Sequence, residues 1–433
     1  MGRLMLIAVR NLIQHRRRSL LLGGAMALVT ILLVLLGAVG AGIESTMMRA
    51  GTALLSGHVN VTGFYKVSSG RVAPLLLERE KVLGQIEELV PEAVRFSDRL
   101  RGMAKIVSER DSIQAAVVGV AIESEPGLRE VLREAEGNLM DLAQPRSMAL
   151  YAAQAKRLGV SVGDAVTLSA PTVRGQFNSV DVTVRVILKD LGILSTMSCL
   201  ASADTMRELN LYTEDTTGVI YVYLDDPEKS AEVESRLRTM LPDYGHELME
   251  HHPGPFWGKF QLAAGEDWTG QRLDLTTWVD ELLAMQWVLK TFSTVSGMLV
   301  MVLLVIILVG VMNTLWIAIR DRTKEIGTLR SIGMGKGRVL IAFVIEVGVL
   351  SVSATLLGVG LGTALAALIN ALEIPVSPGF QLFLMTDTLR LVMDPRVVLN
   401  AMLIVPGFAM LASLFPAWRA TRLKPVTAIH QVG

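Results

Sequence analysis

The residues whose types and spacing could do chemistry are few. His246, Glu247, Glu250, His251 and His252 stand close together and are all of metal-ligating type. A zinc hydrolase pattern H-E-x-x-H sets two imidazoles on one helical face, whereas here the second histidine follows at i+5. Tyr244 and Gly245 read as strand, with a turn at Pro253 and Gly254. The group is therefore read as neither a metal nor a catalytic site. The run GMGKGR, Gly333 to Arg338, lacks the first glycine and the Ser or Thr of a phosphate loop G-x-x-x-x-G-K-[ST]. The chain is thus expected to bind no ATP in that manner and to hold no cofactor. Cys199 is the single cysteine; it cannot form an intrachain disulfide and reads as a small apolar filler. Glu346 is an acid inside an apolar run, where charge costs about 3 kcal/mol or more. It is a functional suspect, with reach to the membrane interface as the alternative.

The elements that must position these groups are mostly apolar. Hydrophobic residues make up 51% of the 433, and the mean hydropathy is +0.46, above the soluble range. A membrane helix needs about 20 apolar residues, and four segments supply them: Ser19 to Gly42, Phe292 to Ile319, Val339 to Leu372 and Val397 to Ala417. The first is too long for a cleaved signal and reads as an anchor. Net charge is zero, which argues against a nucleic-acid partner. Locally the charge is uneven. Arg3, Arg10, Arg16, Arg17 and Arg18 precede the first span, Arg320 to Arg338 is basic, and Arg419, Arg422 and Lys424 follow the fourth span. The positive-inside rule places these three segments and both termini in the cytoplasm.

Residues 42 to 290 then lie on the other side, with 25 Lys plus Arg against 35 Asp plus Glu. Strands are expected at His58 to Phe64, Ile113 to Ile122, Ala165 to Ser169, Asp181 to Leu188 and Val219 to Leu224. Helices are expected at Leu75 to Leu89, Met148 to Leu158, Ala203 to Leu209 and Pro227 to Leu241. This is an α+β pattern. A break near Asn138 to Arg146 is compatible with two subdomains, and Pro171 to Ser179 joins two strands as a hairpin. Leu275, Trp278, Val279, Leu282 and Leu283 recur at helical spacing, and no Pro or Gly falls between Gln271 and Ser296. One helix from Gln271 to Arg320 would measure about 75 Å, over twice the hydrocarbon thickness. It is expected to continue as a stalk, partnered by the end of the first span through Ile43, Met47 and Met48.

The fold class is thus an integral membrane α-helical protein, four spans with two extended as stalks, carrying a large α+β extracytoplasmic domain. The segments are 1–18 (basic, amphipathic, cytoplasmic), 19–42, 43–270 (extracytoplasmic domain), 271–320 (stalk and second span), 321–338, 339–372, 373–396 (external loop), 397–417 and 418–433 (cytoplasmic tail).

Residues 321–338 are the most informative. Ile326, Leu329 and Ile332 share one helical face among charges, with Gly333, Gly335 and Gly337 at the return turn. An apolar face exposed there should enter another protein's groove or lie on lipid; a plain basic loop is the alternative. The segment resembles the coupling helix of the FtsX-like permeases, membrane subunits of ABC transporters that include MacB and the lipoprotein-releasing LolC and LolE. Arg320, Arg322, Glu325, Ile326, Gly327, Arg330 and Gly333 match its form R-x-R-x-x-E-I-G-x-x-R-x-x-G. Phe343 to Glu346, the series Gly358, Gly360, Gly362, and the ending PAWRATRLKP are similar too. So are SGHVNV at Ser56 to Val61 and LGVSVGDAVTL at Leu158 to Leu168.

The resemblance implies a permease subunit in the bacterial inner membrane, dimeric with itself or a second permease, and driven by two copies of an ABC ATPase that carry the ATP and Mg. Its ATPase-coupling residues would be Arg320, Arg322, Glu325, Ile326, Gly327, Leu329, Arg330, Gly333 and Met334. The motion would be transmitted mechanically to the far side to extract or export lipoproteins or another amphiphile. Ile43, Met47, Met48, Met285, Val288, Leu289 and Phe292 form a candidate substrate-facing surface at the stalk base, packing between stalks being the alternative. A periplasmic lipoprotein chaperone or adaptor is a further expected partner, although the hairpin at Pro171 to Ser179 is short beside that of LolC. The alternatives are a MacB-like efflux pump subunit and an FtsX-like regulator of cell-wall hydrolases.

Overall fold

The apolar runs close their own backbone hydrogen bonds as helices, as they must where no water can satisfy them. In the computed structural model, residues 10–68, 71–192, 194–331, 334–376 and 388–422 are described. The long helices are α1 (Arg16–Leu54), α2 (Leu283–Asp321), α4 (Lys336–Ala371) and α5 (Pro395–Ala420), with the short α3 (Thr323–Ser331) between α2 and α4. All four long ones are apolar and long enough to cross a membrane. At 39 residues each, α1 and α2 measure about 58 Å, well beyond the roughly 30 Å a bilayer core requires. The chain divides into a helical unit (up to residue 45, with 289–375 and the part after 388) and an inserted unit built from 46–288.

In the helical unit, small residues bring backbones together. A Cβ on Gly358 would lie 2.7 Å from the Ala27 carbonyl and 2.6 Å from Thr30, and one on Gly362 would press on Val34. The Gly358 and Gly362 pair is thus the seam between α4 and α1. Gly360, on another face, meets nothing. Around the seam Leu22, Met26, Val311, Leu315, Val347, Val405 and Ala409 form an apolar core. Helix α2 is the least covered, with Met298, Met301, Val302 and Val309 all exposed.

The inserted unit has two lobes that share one strand. Its strands are β1 (Val59–Ser68), β2 (Arg71–Ala73), β3 (Leu76–Leu77), β4 (Ala93–Val107), β5 (Ser112–Val120), β6 (Glu134–Gly137), β7 (Ser147–Tyr151), β8 (Ala165–Pro171), β9 (Phe177–Leu188), β10 (Ser198–Ser202), β11 (Thr216–Thr217), β12 (Val219–Leu224) and β13 (Gly270–Thr277). The first lobe is the antiparallel sheet β13-β1-β12-β4, backed by helices Arg79–Leu89 and Ser230–Met240 around Val61, Ile86, Ile220, Val222 and Leu237. In the second, β4, β5, β10, β7, β9 and β8 pair in a ring back to β4. This closed barrel needs no free edge. Its interior holds Leu100, Ile106, Val117, Met148, Leu168, Val182, Val184 and Cys199. Strand β4 serves both lobes: Ala93 to Arg99 pairs with β12, and Leu100 to Val107 with β5.

Several boundaries differ from the sequence reading. The stalk helix does not begin at Gln271. Gly270–Thr277 is β13, paired with β1 along its whole length. Leu273, Asp274, Leu275 and Thr276 are all buried, so both faces of the strand are covered and its period of two is masked. Thr277 and Asp280 then form a capping box that starts the turn Trp278–Glu281, and α2 follows from Leu283. There is also no break at Asn138 to Arg146. The barrel, from Leu100 to Asn210, is inserted within the sheet lobe, and the boundary falls inside β4. The expected helices at Leu75 and Met148 start late because Leu76–Leu77 and Ser147–Tyr151 are strands. Tyr244 ends a 3-10 turn rather than a strand, closed by Gly245 in the left-handed region (φ 88°). Much of the 1–18 segment, the 373–396 loop and the 418–433 tail lies outside the described residues.

Candidate functional site

Two buried ionic nodes stand out, one in each unit, and each has one carboxylate facing two arginines. In the helical unit the acid is Glu346, about two turns past the expected start of its span at Val339 and buried in the bundle. Arg322, at the turn between α2 and α3, donates from Nη1 to Glu346 Oε2 at 3.1 Å. Arg18, in the first turn of α1, lies 3.5 Å from Oε1, and Asn11 Nδ2 donates to Oε2 at 3.4 Å. The acid thus meets cations within the bundle. Three segments converge on it: the start of α1, the α2–α3 turn and α4. Arg322 is itself buried, and its Nη2 has no hydrogen-bond partner.

The other coupling candidates are distributed differently. Arg320 is exposed and Arg330 half-buried. Ile326 is only 4% exposed and packs in the core with Leu22, Ile319, Val339 and Phe343, while Met334 is half-buried against the same cluster. The apolar face of this helix was expected to enter another protein's groove or lie on lipid. At Ile326 it is instead used within the chain, because the turn at Arg322 brings α3 against its own bundle. Gly327 is buried beside it. The side chains of Glu325 and Leu329, and all of Ile332 and Gly333, lie outside the described residues.

The node in the inserted unit is Arg99 with Glu125. Arg99 Nε donates to Glu125 Oε1 at 2.6 Å and Nη2 to Oε2 at 2.9 Å. Ser97 adds a hydroxyl donor to Oε1, and Arg95 lies 3.8 Å from Oε2. Burial is the largest influence and works to lower the Arg99 pKa, but the hydrogen bonds to Glu125 together with the electrostatic attraction of Tyr221, Glu125 and Tyr223 carry the net direction upward. The same guanidinium donates to the carbonyls of Ala53 (2.8 Å) and Leu54 (3.2 Å). Arg101 and the Tyr221 hydroxyl both donate to Leu55 O, and Tyr223 to Thr52 O. These are the carbonyls a helix leaves orphaned at its C-terminus, and cations suit that end of the dipole. The end of α1 is therefore clamped into the sheet. Gly51 also lets Leu282 approach, since a Cβ there would lie 2.5 Å from Leu282 Cδ1.

Sequence reading missed this clamp, although a signal existed: Arg95, Ser97, Arg99 and Arg101 alternate along β4, so they share one strand face. Nearby, Glu281 accepts from the Phe256 N–H and the Thr276 hydroxyl. Burial pushes its carboxyl up, against the charge of Arg101.

The apolar candidates are divided between the two units. In the helical unit Ile43 is buried, and Leu289 and Phe292 are half-buried. In the inserted unit Met47 is buried, and Met48 and Val288 are half-buried; the side chain of Met285 lies outside the described residues. Leu289 and Phe292 do line a cavity of about 620 Å³ in the helical unit, with Gly37, Gly40, Val397 and Ala401. Glu44, Lys290, Ser293, Ser296 and Asn400 supply its polar lining.

The histidine group is dispersed. His246 Nε2 lies 2.7 Å from Gln85 Oε1, Glu247 pairs with Arg272, and His251 sits beside Arg238 and Glu234. Among the described residues no three His, Cys, Asp or Glu are grouped to hold a metal. Burial pushes the Cys199 thiol up, consistent with a filler of the barrel core.

Comparison with known proteins bears on the helical unit. Residues 297–425 match the family described as FtsX-like permease C-terminal. The uncharacterized ABC transporter permease YknZ of Bacillus subtilis is 28% identical over 138 residues, 32% of this chain and 31% of that protein. The macrolide export ATP-binding/permease protein MacB is 32% identical over 139 residues in Sodalis glossinidius, covering 32% of this chain and 19% of the relative. In Pasteurella multocida it is 31% identical over 150 residues, covering 35% and 21%. The matched part is thus under a third of each relative's length. Solved structures similar to this chain include the extracellular domain of YknZ (14% identity, TM-score 0.30, 43% of this chain and 95% of that one). The periplasmic region of MacB from Actinobacillus actinomycetemcomitans is similar as well (13%, TM-score 0.30, 44% and 86%).

Proposed function

We propose that this chain, whose residues 297–425 form an FtsX-like permease domain, is the membrane subunit of an ABC transporter that moves an amphiphile on the far side of the inner membrane. An ATPase on a separate polypeptide, in two copies, supplies the energy at the cytoplasmic face. The observation that carries the reading is the Glu346 node. Arg322 sits at the entry to the coupling helix α3, and Glu346 ties it to Arg18 at the start of α1. A displacement of α3 would thus be felt by α1, and α1 runs without interruption to the carbonyls held by Arg99. This is a lever with a grip at each end. In the same reading both termini are cytoplasmic, the inserted unit is periplasmic, and the exposed face of α2 meets lipid or a second permease subunit.

For cargo, the cavity bounded by Gly37, Phe292 and Val397 combines apolar walls with Glu44, Lys290 and Asn400. That is the composition an amphiphile with a polar head would need. A lipoprotein lipid anchor is the favoured cargo. Macrolide export is the second reading, favoured by the similarity to MacB proteins. Reconstitution with the ATPase in liposomes loaded with lipoprotein or with a macrolide separates them. ATP-dependent release of lipoprotein supports the first; transfer of the macrolide alone moves the assignment to the second; no ATP-dependent transfer of either removes both. Replacing Glu325 and Arg330 by alanine should weaken ATPase association, and unchanged association would remove the coupling role given to α3.

A further inference from the structure

Where β4 passes from the sheet lobe into the barrel, the inserted unit holds a cavity of about 470 Å³. That is the size of a small-molecule site, roughly 300–1,000 Å³. Tyr65, Tyr212, Trp257 and Phe260 give it aromatic walls, joined by Phe177 of the β8–β9 hairpin, which is 79% exposed. The cavity is therefore reached from solvent. Its walls are held from behind: Phe260 packs edge-on against Phe64 and Phe256, with ring centroids 5.3 and 5.4 Å away, and Trp257 lies parallel to Phe260 within 12°. On the hairpin side, Thr172 N–H donates to Gln176 O and Gly175 N–H to Thr172 O, so that turn closes on itself.

The polarity of the cavity is one-sided. Among the described residues Arg101 is the one charged side chain of the lining, and it is only 4% exposed. Where Arg99 is bidentate on Glu125, Arg101 forms no ion pair among the described residues. Its Nη2 donates to Leu55 O and to the Tyr221 hydroxyl, whereas its Nη1 is buried with no hydrogen-bond partner. Glu281 feels the charge of Arg101, but burial pushes the Glu281 carboxyl up and so lessens the counter-charge it offers. Burial also pushes the Tyr212 phenol up to about 12, which keeps that wall uncharged. A buried guanidinium with no paired carboxylate is costly, and an anion carried in by a ligand offsets that cost.

We propose that this cavity binds a small aromatic carboxylate, its ring body against Tyr65, Trp257 and Phe260 and its carboxylate directed to Arg101. Aromatic walls favour a planar ring, which stacks, over a flexible chain. A cation short of a counter-charge selects an anion over a neutral polar group. The inference stands on the inserted unit alone and does not depend on how the membrane part is driven.

The test uses the full chain in lipid nanodiscs, with 2-naphthoate as the probe, calorimetry as the readout and empty nanodiscs as the reference. Saturable binding beyond that of the empty discs is expected. The matching alcohol, 2-naphthalenemethanol, should bind about tenfold more weakly, the scale of one charge-assisted hydrogen bond, and decanoate should bind about fivefold more weakly for want of a ring. Arg101→Gln should shrink the preference for carboxylate over alcohol to about twofold. Trp257→Ala should weaken both naphthyl ligands about fivefold and keep the preference. Hydrogen exchange of β4 and β5 shows whether Arg101→Gln keeps the fold; if it does not, the ligand comparison in the parent and the Trp257→Ala result decide. The proposal is overturned if 2-naphthoate binds no better than to empty nanodiscs, or if the alcohol or decanoate binds as tightly. It is equally overturned if a folded Arg101→Gln keeps the parent's preference, or if Trp257→Ala keeps its affinity.

Discussion

The Glu346 and Glu125 nodes have the same parts and different finish. Each has a buried carboxylate facing two arginines, and each touches one end of α1. Around Glu125 the central pair is saturated: Arg99 is bidentate at 2.6 and 2.9 Å, Ser97 fills Oε1, and the other Arg99 donors go to helix carbonyls, so that only the outlying Arg95 Nη1, 3.8 Å from Oε2, lacks a hydrogen-bond partner. Around Glu346 the contacts run from 3.1 to 3.5 Å, and Arg322 Nη2 is left without a partner. A saturated node holds one geometry, whereas an under-satisfied one can exchange partners at small cost. The comparison points to a fixed grip in the inserted unit and a movable joint beside α3.

The same substitution at both nodes tests this most severely. Glu125→Gln should destabilise by about 3 kcal/mol, because it leaves Arg99 buried without its counter-charge. Glu346→Gln should cost about 1 kcal/mol, the scale of one exchanged hydrogen bond. Calorimetry of the full chain in nanodiscs reads both, and equal costs would erase the distinction.

If the joint is movable, packing must keep α1 and α4 together. Gly358→Val would drive a side chain into Thr30 and the Ala27 carbonyl and should cost about 1–3 kcal/mol. Gly360→Ala, facing open space, should change little. Detergent-induced unfolding in mixed micelles compares the two.

The smallest effect concerns acid. His58 stacks edge-on against Tyr223 of the clamp and accepts the Leu224 N–H on Nδ1. Burial holds its pKa below the ordinary 6.5. The unfolded chain then binds the extra proton first, so the stability this group contributes is complete above pH 6.5 and is lost as pH falls through the folded value. The melting temperature should decline from pH 7 to 5 by more in the parent than in His58→Gln. Identical slopes would mean that His58 does not report on the grip.

Much of this was legible in the sequence, and the failures have physical causes. The four apolar runs and the strands at Val59, Ala165 and Val219 are local signals of length, spacing and β-branching. The β13 strand was hidden because Leu273 to Thr276 are covered on both faces, leaving only spacings that a helix shares. Strand β4 was missed because Arg95, Arg99 and Arg101 look like surface, although their charges are spent on Glu125 and on helix carbonyls. Glu346 announced itself as an acid in an apolar run, but its partners come from positions 24 and more than 300 residues away. No local pattern could name them.

The central claim is that the Glu346 joint passes motion of the coupling helix to α1. It is tested most directly by measuring ATP hydrolysis and cargo transfer together in the reconstituted complex carrying Glu346→Gln. The account predicts hydrolysis within about twofold of the parent and transfer per ATP reduced at least tenfold, about 1.4 kcal/mol or more of lost coupling. An unchanged ratio of transfer to hydrolysis would contradict it.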